Sequence, residues 1–310
     1  MEVIHNILNY SPQKTSILTI GTFDGIHVGH QKIIKKLVAT SRKENLCSLV
    51  LTFFPHPRMV LHKDSQLKMI DTIEEKSRFL EKLGVDSLII QPFTLEFSRM
   101  TAIKYTRDIL INGLNIAKLI IGYDHRFGRN REATVEDLKD FGEEYGFTVE
   151  EIPAQDIASI AVSSTKVRNA INTGEIKKAN LYLGRPFSIN GMVVKGDKIG
   201  REIGYPTANI EIKEDYKLRP QNGVYLVHCH WNGQEYFGMM NVGKRPTVDG
   251  KKNQIETYFF DFTGDLYGKK IGLDLLEKIR AEQKFNSLEA LKNQLKQDEK
   301  SCKNLIPKYL

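Results

Sequence analysis

Two different patterns of apolar residues meet near residue 184 of this 310-residue chain. Up to that point, short apolar runs alternate with longer amphipathic stretches, an order typical of a parallel, doubly wound α/β sheet. The runs predicted as strands are Ile17–Ile20, Cys47–Phe54, Ser87–Gln91, Lys118–Gly122 and Phe147–Ile152. The stretches predicted as helices are Gln31–Lys43, Thr72–Leu83, Ala102–Ile111 and Val135–Tyr145. We therefore expect an α/β domain over residues 1–183.

Beyond residue 184 the apolar segments are shorter and rich in β-forming residues, with Gly, Asn and Asp between them. They are Ser188–Lys195, Val224–Trp231, Glu235–Asn241 and Ile255–Phe262. Their spacing predicts a compact antiparallel sheet or barrel over residues 184–310. A last helix is predicted over Leu288–Gln297, with Asn286 or Ser287 as its N-cap.

The composition excludes several classes of protein. With 41% hydrophobic and 27% charged residues, the chain is neither disordered nor a coiled coil. No apolar run approaches the roughly 18 residues of a membrane span, and the first residues lack the features of a signal peptide. Cys47, Cys229 and Cys302 form no CxxC pair, so neither a disulfide framework nor a cysteine-based zinc site is expected. We expect a cytoplasmic protein without a membrane partner.

The net charge is +7, from 45 Lys and Arg against 38 Asp and Glu, and it is spread along the chain. Such an excess fits small anionic ligands such as nucleotides. The sequence contains no basic block interleaved with aromatic residues, so nucleic acid is not expected as a partner. The oligomeric state is not assigned.

The sequence GTFDGIHVGH, residues 21–30, joins the first predicted strand to the first predicted helix. Ligands of open α/β sheets bind at the carboxyl ends of strands, and a helix N-terminus reached through glycines favours phosphate. His27 and His30, three residues apart, can donate to one triphosphate. A capped turn without a ligand is the alternative, and a zinc site would need a third ligand that the spacing does not fix. The residues predicted to contact the nucleotide here are Gly21, Phe23, Asp24 and Gly29.

A second phosphate-binding stretch is predicted at SSTKVR, residues 163–168. Hydroxyls and amides at a helix start, followed one turn later by an arginine, can hold phosphates. The alternative is an N-cap followed by a solvated arginine. The residues concerned are Ser163, Ser164, Thr165 and Arg168.

The loop GYDHRFG, residues 122–128, ends a predicted strand and so opens on the same edge of the sheet as the histidine turn. Asp124 and Arg126 can therefore contact a second substrate. An ordinary loop bounded by glycines is the alternative.

In the β-rich part, GDKIGREIGYPTAN spans residues 196–209. Gly196 and Gly200 predict a loop that can cover phosphates, and Thr207 and Asn209 share one face of an extended segment. Their two oxygens can complete the shell of a Mg²⁺ ion held by ATP phosphates. Glu256, among aromatic strand residues, is placed to act as a general base. A turn with an edge strand, and an outward-facing glutamate, are the alternatives.

These segments together resemble the bifunctional riboflavin kinase/FAD synthetase family of bacteria, over almost the whole chain. The resemblance extends through LGRPFSINGMVVKGDKIGREIGYPTANI, GVYLV, MNVGKRPTV, IETYFFDF and IRAEQKF. GYPTAN in this context is highly specific, whereas HxGH is shared by many nucleotidyltransferases. The absence of a KMSKS-like sequence argues against an aminoacyl-tRNA synthetase.

The resemblance implies two activities and two folds. A Rossmann-like nucleotidyltransferase domain, residues 1–183, would convert FMN and ATP to FAD and pyrophosphate. A riboflavin kinase domain, residues 184–310, would convert riboflavin and ATP to FMN with Mg²⁺, in a six-stranded barrel with a C-terminal helix. The matching residues are His27, His30, Ser164 and Arg168 for the nucleotide, Asp124 on the flavin side, Thr207 and Asn209 for Mg-ATP, Glu256 as base, and Arg280 and Phe285 near the flavin.

Two alternatives follow from details of the sequence. His125, Ala133 and Phe54 stand where many relatives have other residues, so the N-terminal half of a riboflavin kinase could be degenerate or redirected. The isoelectric point near 9.1 would also suit a nucleotide- or RNA-binding regulator that kept the fold without turnover.

Overall fold

The computed structural model describes residues 1–62, 66–122, 126–153, 162–196, 199–247 and 250–310. The chain folds into two compact units, Met1–Ser164 and Thr165–Leu310. Among the residues so described, none of the helices combines the length and the apolar character needed to cross a bilayer.

The first unit is built on a six-stranded sheet in which all neighbouring strands are parallel. Its strands are β1 (Glu2–His5), β2 (Ser16–Ile20), β3 (Cys47–Phe54), β4 (Ser87–Pro92), β5 (Ile116–Gly122) and β6 (Thr148–Ile152). The order β1-β4-β3-β2-β5-β6 places β2 between β3 and β5, where the direction of winding reverses. The doubly wound fold predicted from the sequence is confirmed, and this reversal is where such sheets bind ligands.

Helices cover both faces of this sheet, which explains why β2 is buried at every position. They are α1 (Val28–Glu44), α2 (Pro57–Leu61), α3 (Ile73–Lys82), α4 (Leu95–Ser98), α5 (Ala102–Lys104), which continues as a π-helix over Tyr105–Gly113, and α6 (Val135–Tyr145). Short 3-10 turns span Ile7–Asn9 and Arg129–Arg131. One core packs α1 and α3 on the sheet, and the other packs the π-helix and α6 on it.

The second unit is a closed barrel of six antiparallel strands with helices at both ends of its sequence. The strands are β7 (Phe187–Val194), β8 (Ala208–Glu211), β9 (Gly223–Trp231), β10 (Gln234–Thr247), β11 (Gly250–Phe259) and β12 (Lys270–Ala281). The helices are α7 (Ser164–Asn172), α8 (Ile176–Leu183), α9 (Ile199–Glu202) and α10 (Leu288–Leu305), followed by a 3-10 turn, Ile306–Lys308. The predicted barrel with a C-terminal helix is confirmed.

Helix α8 packs with the barrel through Asn180. The Phe187 N–H donates to Asn180 Oδ1 at 2.8 Å, and Asn180 Nδ2 donates to the Leu275 carbonyl at 2.8 Å. Both hydrogen bonds fix the start of β7 and the middle of β12 to the same helix. The packing therefore groups the two helices before residue 184 with the barrel, and the domain boundary at residues 183/184 stays a prediction from the sequence.

Candidate active sites

The turn between β2 and α1 has an unusual backbone. Phe23 (φ 43°), Gly25 (φ 82°) and Ile26 (φ 36°) all lie in the left-handed region, which is strained for the two residues with side chains. A side chain at Gly25 would also clash, because its Cβ would lie 2.9 Å from Ile70 Cδ1. Such a turn persists only where its surroundings fix it.

Asp24 is one of the residues that hold this turn in place. Its side chain is buried, and Oδ1 accepts a hydrogen bond from the Ile70 N–H at 2.9 Å. Its carbonyl accepts from the Ser164 hydroxyl at 2.9 Å. The structure therefore brings Ser164, from the predicted second phosphate-binding stretch, onto the histidine turn.

His27 and His30 meet face to face. Their rings stack at a centroid distance of 3.7 Å, with an angle of 17° between the ring planes. His27 caps α1, because its Nδ1 accepts from the His30 N–H at 3.4 Å. This bond leaves the ring proton of a neutral His27 on Nε2, as the donor available to a ligand. His30 Nδ1 is buried and has no hydrogen-bond partner among the described residues.

Both rings are held in the neutral form at pH 7. Burial lowers the pKa of His27 to about 4. Burial also lowers the pKa of His30 well below its usual value, and the nearby His27 and Lys76 add to the effect. As neutral rings, these imidazoles can interact with an anion as N–H donors rather than as cations.

The other predicted phosphate-side residues are placed as follows. Gly21 and buried Gly29 flank the turn, and a Cβ on Gly21 would lie 3.1 Å from the Phe23 ring. Exposed Ser163 precedes α7. Thr165 and Arg168 lie on α7 within the second unit, and their nucleotide contacts stay predictions.

A row of aromatic rings that the sequence analysis did not single out begins at the carboxyl ends of β3 and β4. Phe53 lies 5.7 Å from Phe93 and 5.8 Å from Phe97, and Phe97 lies 6.1 Å from Tyr105. Tyr105 in turn lies 5.8 Å from Phe127, the neighbour of exposed Arg126. Tyr105 and Phe127 belong to the buried core, whereas Phe53, Phe93 and Phe97 are partly exposed at its edge. Asp124 lies outside the described residues.

Lys76 on α3 is a second feature that the sequence analysis missed. Its side chain is fully buried beneath the histidine turn. The available signal was its place between Ile73 and Leu80, on the apolar side of an otherwise amphipathic helix.

In the barrel, strand pairing brings two predicted kinase residues together. Asn209 on β8 lies directly opposite Glu256 on β11. Gln254 joins them, because its Nε2 donates to Asn209 Oδ1 at 2.9 Å and to Glu256 Oε1 at 2.8 Å. A Cβ on Gly196 would lie 2.2 Å from Asn209 Nδ2, so the glycine backbone packs against this amide. No motif in the sequence marks Gln254 as part of this site.

Thr207 lies next to a cleft of about 700 Å³, a volume usual for small-molecule sites. The cleft is lined by residues of segments 201–208 and 257–267, together with Val193. The Gly200 carbonyl accepts from the Tyr205 N–H at 2.7 Å, which closes the turn before Thr207.

The donors near β8 suit a hard cation. A hydroxyl at Thr207, an amide oxygen at Asn209 and a carboxylate at Glu256 are oxygen ligands of the kind that Mg²⁺ prefers. In the part of the chain that the structure describes, no group of three His, Cys, Asp or Glu side chains forms a metal site.

Arg280 and Phe285, predicted near the flavin, are held by α10. The Arg280 Nε and a terminal nitrogen contact both oxygens of Asp298 at 2.8–3.0 Å, and Asp298 is only 2% exposed. Gln294 also donates to Asp298, at 2.9 Å. The Phe285 ring centroid lies 5.7 Å from Arg280 Cζ. The guanidinium thus ties β12 to α10 and orients Phe285, while flavin contact by either residue stays a prediction.

Replacing Asp298 by asparagine should lower the free energy of unfolding of the second unit by about 3 kcal/mol, because it leaves the Arg280 charge partly buried without its partner. The single tryptophan, Trp231, lies on β9 and reports this transition in urea. The control is Glu289→Gln, at an exposed position of α10, with a change within about 0.5 kcal/mol. A loss below about 1 kcal/mol in Asp298→Asn would show that the pair is not stabilising.

Comparison with known proteins matches both halves of the chain. Residues 10–166 match the FAD synthetase family, and residues 183–306 match the riboflavin kinase family. An Escherichia coli K12 protein, named bifunctional riboflavin kinase/FMN adenylyltransferase, is 38% identical over 304 residues, covering 98% of this chain and 96% of its own. A Bacillus subtilis protein of the same name is 35% identical, covering 94% and 92%.

One solved structure superposes on nearly the whole chain. It carries the name macrolide-efflux protein, from Streptococcus pneumoniae, and gives a TM-score of 0.87 at 34% identity. The similarity covers 98% of this chain and 99% of that one.

Proposed function

This chain belongs to the bifunctional riboflavin kinase/FMN adenylyltransferase family, and from that premise we propose which residues carry each of its two activities. It phosphorylates riboflavin to FMN with ATP, and it adenylylates FMN with ATP to give FAD and pyrophosphate. The FAD synthetase half is N-terminal and the kinase half C-terminal.

For adenylyl transfer, the supporting observation is the stacked histidine pair at the carboxyl end of the central strand. An FMN phosphate oxygen attacks the α-phosphorus of ATP, the new P–O bond forms, and the bond to pyrophosphate breaks. His27 donates through Nε2–H and His30 through its ring N–H to phosphate oxygens on which charge develops. Gly21, Phe23, Asp24, Gly29 and the SSTKVR residues shape the nucleotide site around them.

For the flavin of this half, the partly exposed rings of Phe53, Phe93 and Phe97 support a place for the isoalloxazine ring. Arg126, next to Phe127 and exposed, is suited to contact the FMN phosphate or ribityl chain. Phe127 also pairs through its backbone with Ala133, one of the positions at which this chain differs from many relatives.

For the kinase, the supporting observation is the hydrogen-bonded set Asn209, Gln254 and Glu256. Glu256 takes the proton of the ribityl 5′-hydroxyl as that oxygen bonds to the γ-phosphorus of ATP and the bond to ADP breaks. Gln254 holds the carboxylate in place. Thr207 and Asn209 would hold Mg²⁺, which neutralises phosphate charge when bound.

The remaining assignments are proposals of the same kind. We place the adenylyltransferase domain at residues 1–183 and the kinase domain at 184–310, with Arg280 and Phe285 near the riboflavin ring. The substrates are small molecules, and we expect neither nucleic acid nor a membrane as a partner. The three free cysteines support a cytoplasmic location.

A time course with riboflavin and Mg-ATP tests the whole assignment. Chromatography should show FMN rising first and FAD following, and excess chelator should stop both steps. FMN without FAD would mean that the N-terminal half has lost its activity or acts on a different substrate. Salt-sensitive binding of an oligonucleotide with no flavin product would instead support a regulator that kept only the fold.

A further inference from the structure

A fully buried lysine contacts the turn that carries the two histidines. The Lys76 side chain is 0% exposed, and its Nζ donates to the Thr22 carbonyl at 2.6 Å and to Thr52 Oγ1 at 3.3 Å. Lysine is almost never fully buried unless its charge has partners. Lys76 lies at the carboxyl ends of β2 and β3, and packing alone does not explain a lysine in this position.

The Thr22 carbonyl is where the contacts converge. Thr52, itself buried on β3, also donates to it, at 3.2 Å. The next residue is Phe23, the first with a left-handed backbone. Lys76 and Thr52 thus fix the chain at the point where the strained segment of the turn begins.

Charge is the second feature of this contact. Burial lowers the pKa of Lys76, and the buried carboxylates of Asp24 and Asp71 act in the opposite direction. The positive charge of Lys76 also contributes to the low pKa of His30.

We propose that Lys76 is a positioning residue for adenylyl transfer, which holds the histidine turn in place through its hydrogen bond to the Thr22 carbonyl. This inference rests on the proposed function of the histidine turn. It assigns the lysine no direct contact with substrate.

The test compares Lys76→Met with Lys82→Met, an exposed lysine of the same helix, in the full chain. We expect kcat for FMN-to-FAD conversion to fall about 100-fold in Lys76→Met, since misplaced reacting groups lose about that much. Riboflavin-to-FMN conversion by the same protein should be unchanged. Lys82→Met should match the wild type in both reactions.

The pH profile separates positioning from simple support of the fold. His27 and Lys76 act on His30, and Asp24 and Asp71 act in turn on Lys76. Lys76 is one of the causes of the low pKa of His30, so its removal should raise that pKa and move the acid limb of FAD formation to higher pH. FMN titrates alike with both proteins, so the difference between the profiles comes from the enzyme.

Thr52→Val gives a second, milder variant that keeps the lysine charge and the side-chain shape. We expect kcat for FAD formation to fall about 10-fold, with the acid limb in place. Wild-type kinetics in Lys76→Met, or a lower kcat with an unmoved acid limb, would overturn the proposal. If Lys76→Met does not fold, wild-type FAD formation by Thr52→Val overturns it. A wild-type chain that makes no FAD would refute the proposed function instead.

Discussion

Replacing His30 by alanine should reduce FAD formation from FMN by about 100- to 1,000-fold, the usual effect of losing a donor to a reacting oxyanion. The His30 ring stacks on His27. Its buried Nδ1 forms no hydrogen bond with any of the described residues, so this nitrogen is available to a ligand. FMN formation from riboflavin, measured in the same samples, should stay within about two-fold of the wild type, because the kinase residues lie in the other unit. His62→Ala, at an exposed histidine, is the matched control.

The wild-type pH profile tests the state of these rings. Burial lowers the pKa of His27 to about 4 and that of His30 well below its usual value, so neither ring is expected to lose a proton near pH 6.5. FAD formation should therefore not fall as the pH rises from 6 to 8 through loss of an imidazolium. A decline through about pH 6.5, the ordinary pKa of histidine, would contradict donation by neutral rings.

Equal loss of both activities in His30→Ala would contradict two independent sites.

Glu256→Gln should have the opposite effect, with FMN formation reduced by about 100- to 10,000-fold, as for loss of a general base. Glutamine keeps the size of the side chain and an oxygen that can accept from Gln254, but it cannot take the ribityl proton. Conversion of supplied FMN to FAD should be unchanged. Glu211→Gln, at an exposed position of β8, serves as the control. Full kinase activity in the Glu256→Gln variant would remove Glu256 from the role of base.

Periodic apolar patterns predicted most of the first unit, because its strands are buried on both faces and its helices on one. Helix α3, for example, was expected over Thr72–Leu83 and spans Ile73–Lys82. Strand β1 was missed because only Ile4 of its four residues is buried, so no apolar run marks it. Strand β12 was missed because charged residues interrupt its apolar ones.

The sites were predictable in residue type but not in their internal contacts. The turn glycines and histidines follow a strand directly, so their location could be argued from local sequence. The pairing of Asn209 with Glu256 depends on register between strands far apart in the chain, which a single sequence does not contain. For the same reason Lys76 was missed, because its acceptor Thr22 is distant in the sequence.

The length of β8 has a consequence for the dynamics of the barrel. This strand has four residues and is registered with β11 at only two pairs and with β7 at three, whereas β9 and β10 share nine. Local opening requires the ladder hydrogen bonds of a segment to break together, so the shortest ladders open with the least free energy. Asn209 and Glu256 lie in this ladder. Backbone amide protons should thus exchange with water most readily where the kinase residues lie, while the hydrogen bonds of the longer ladders stay formed.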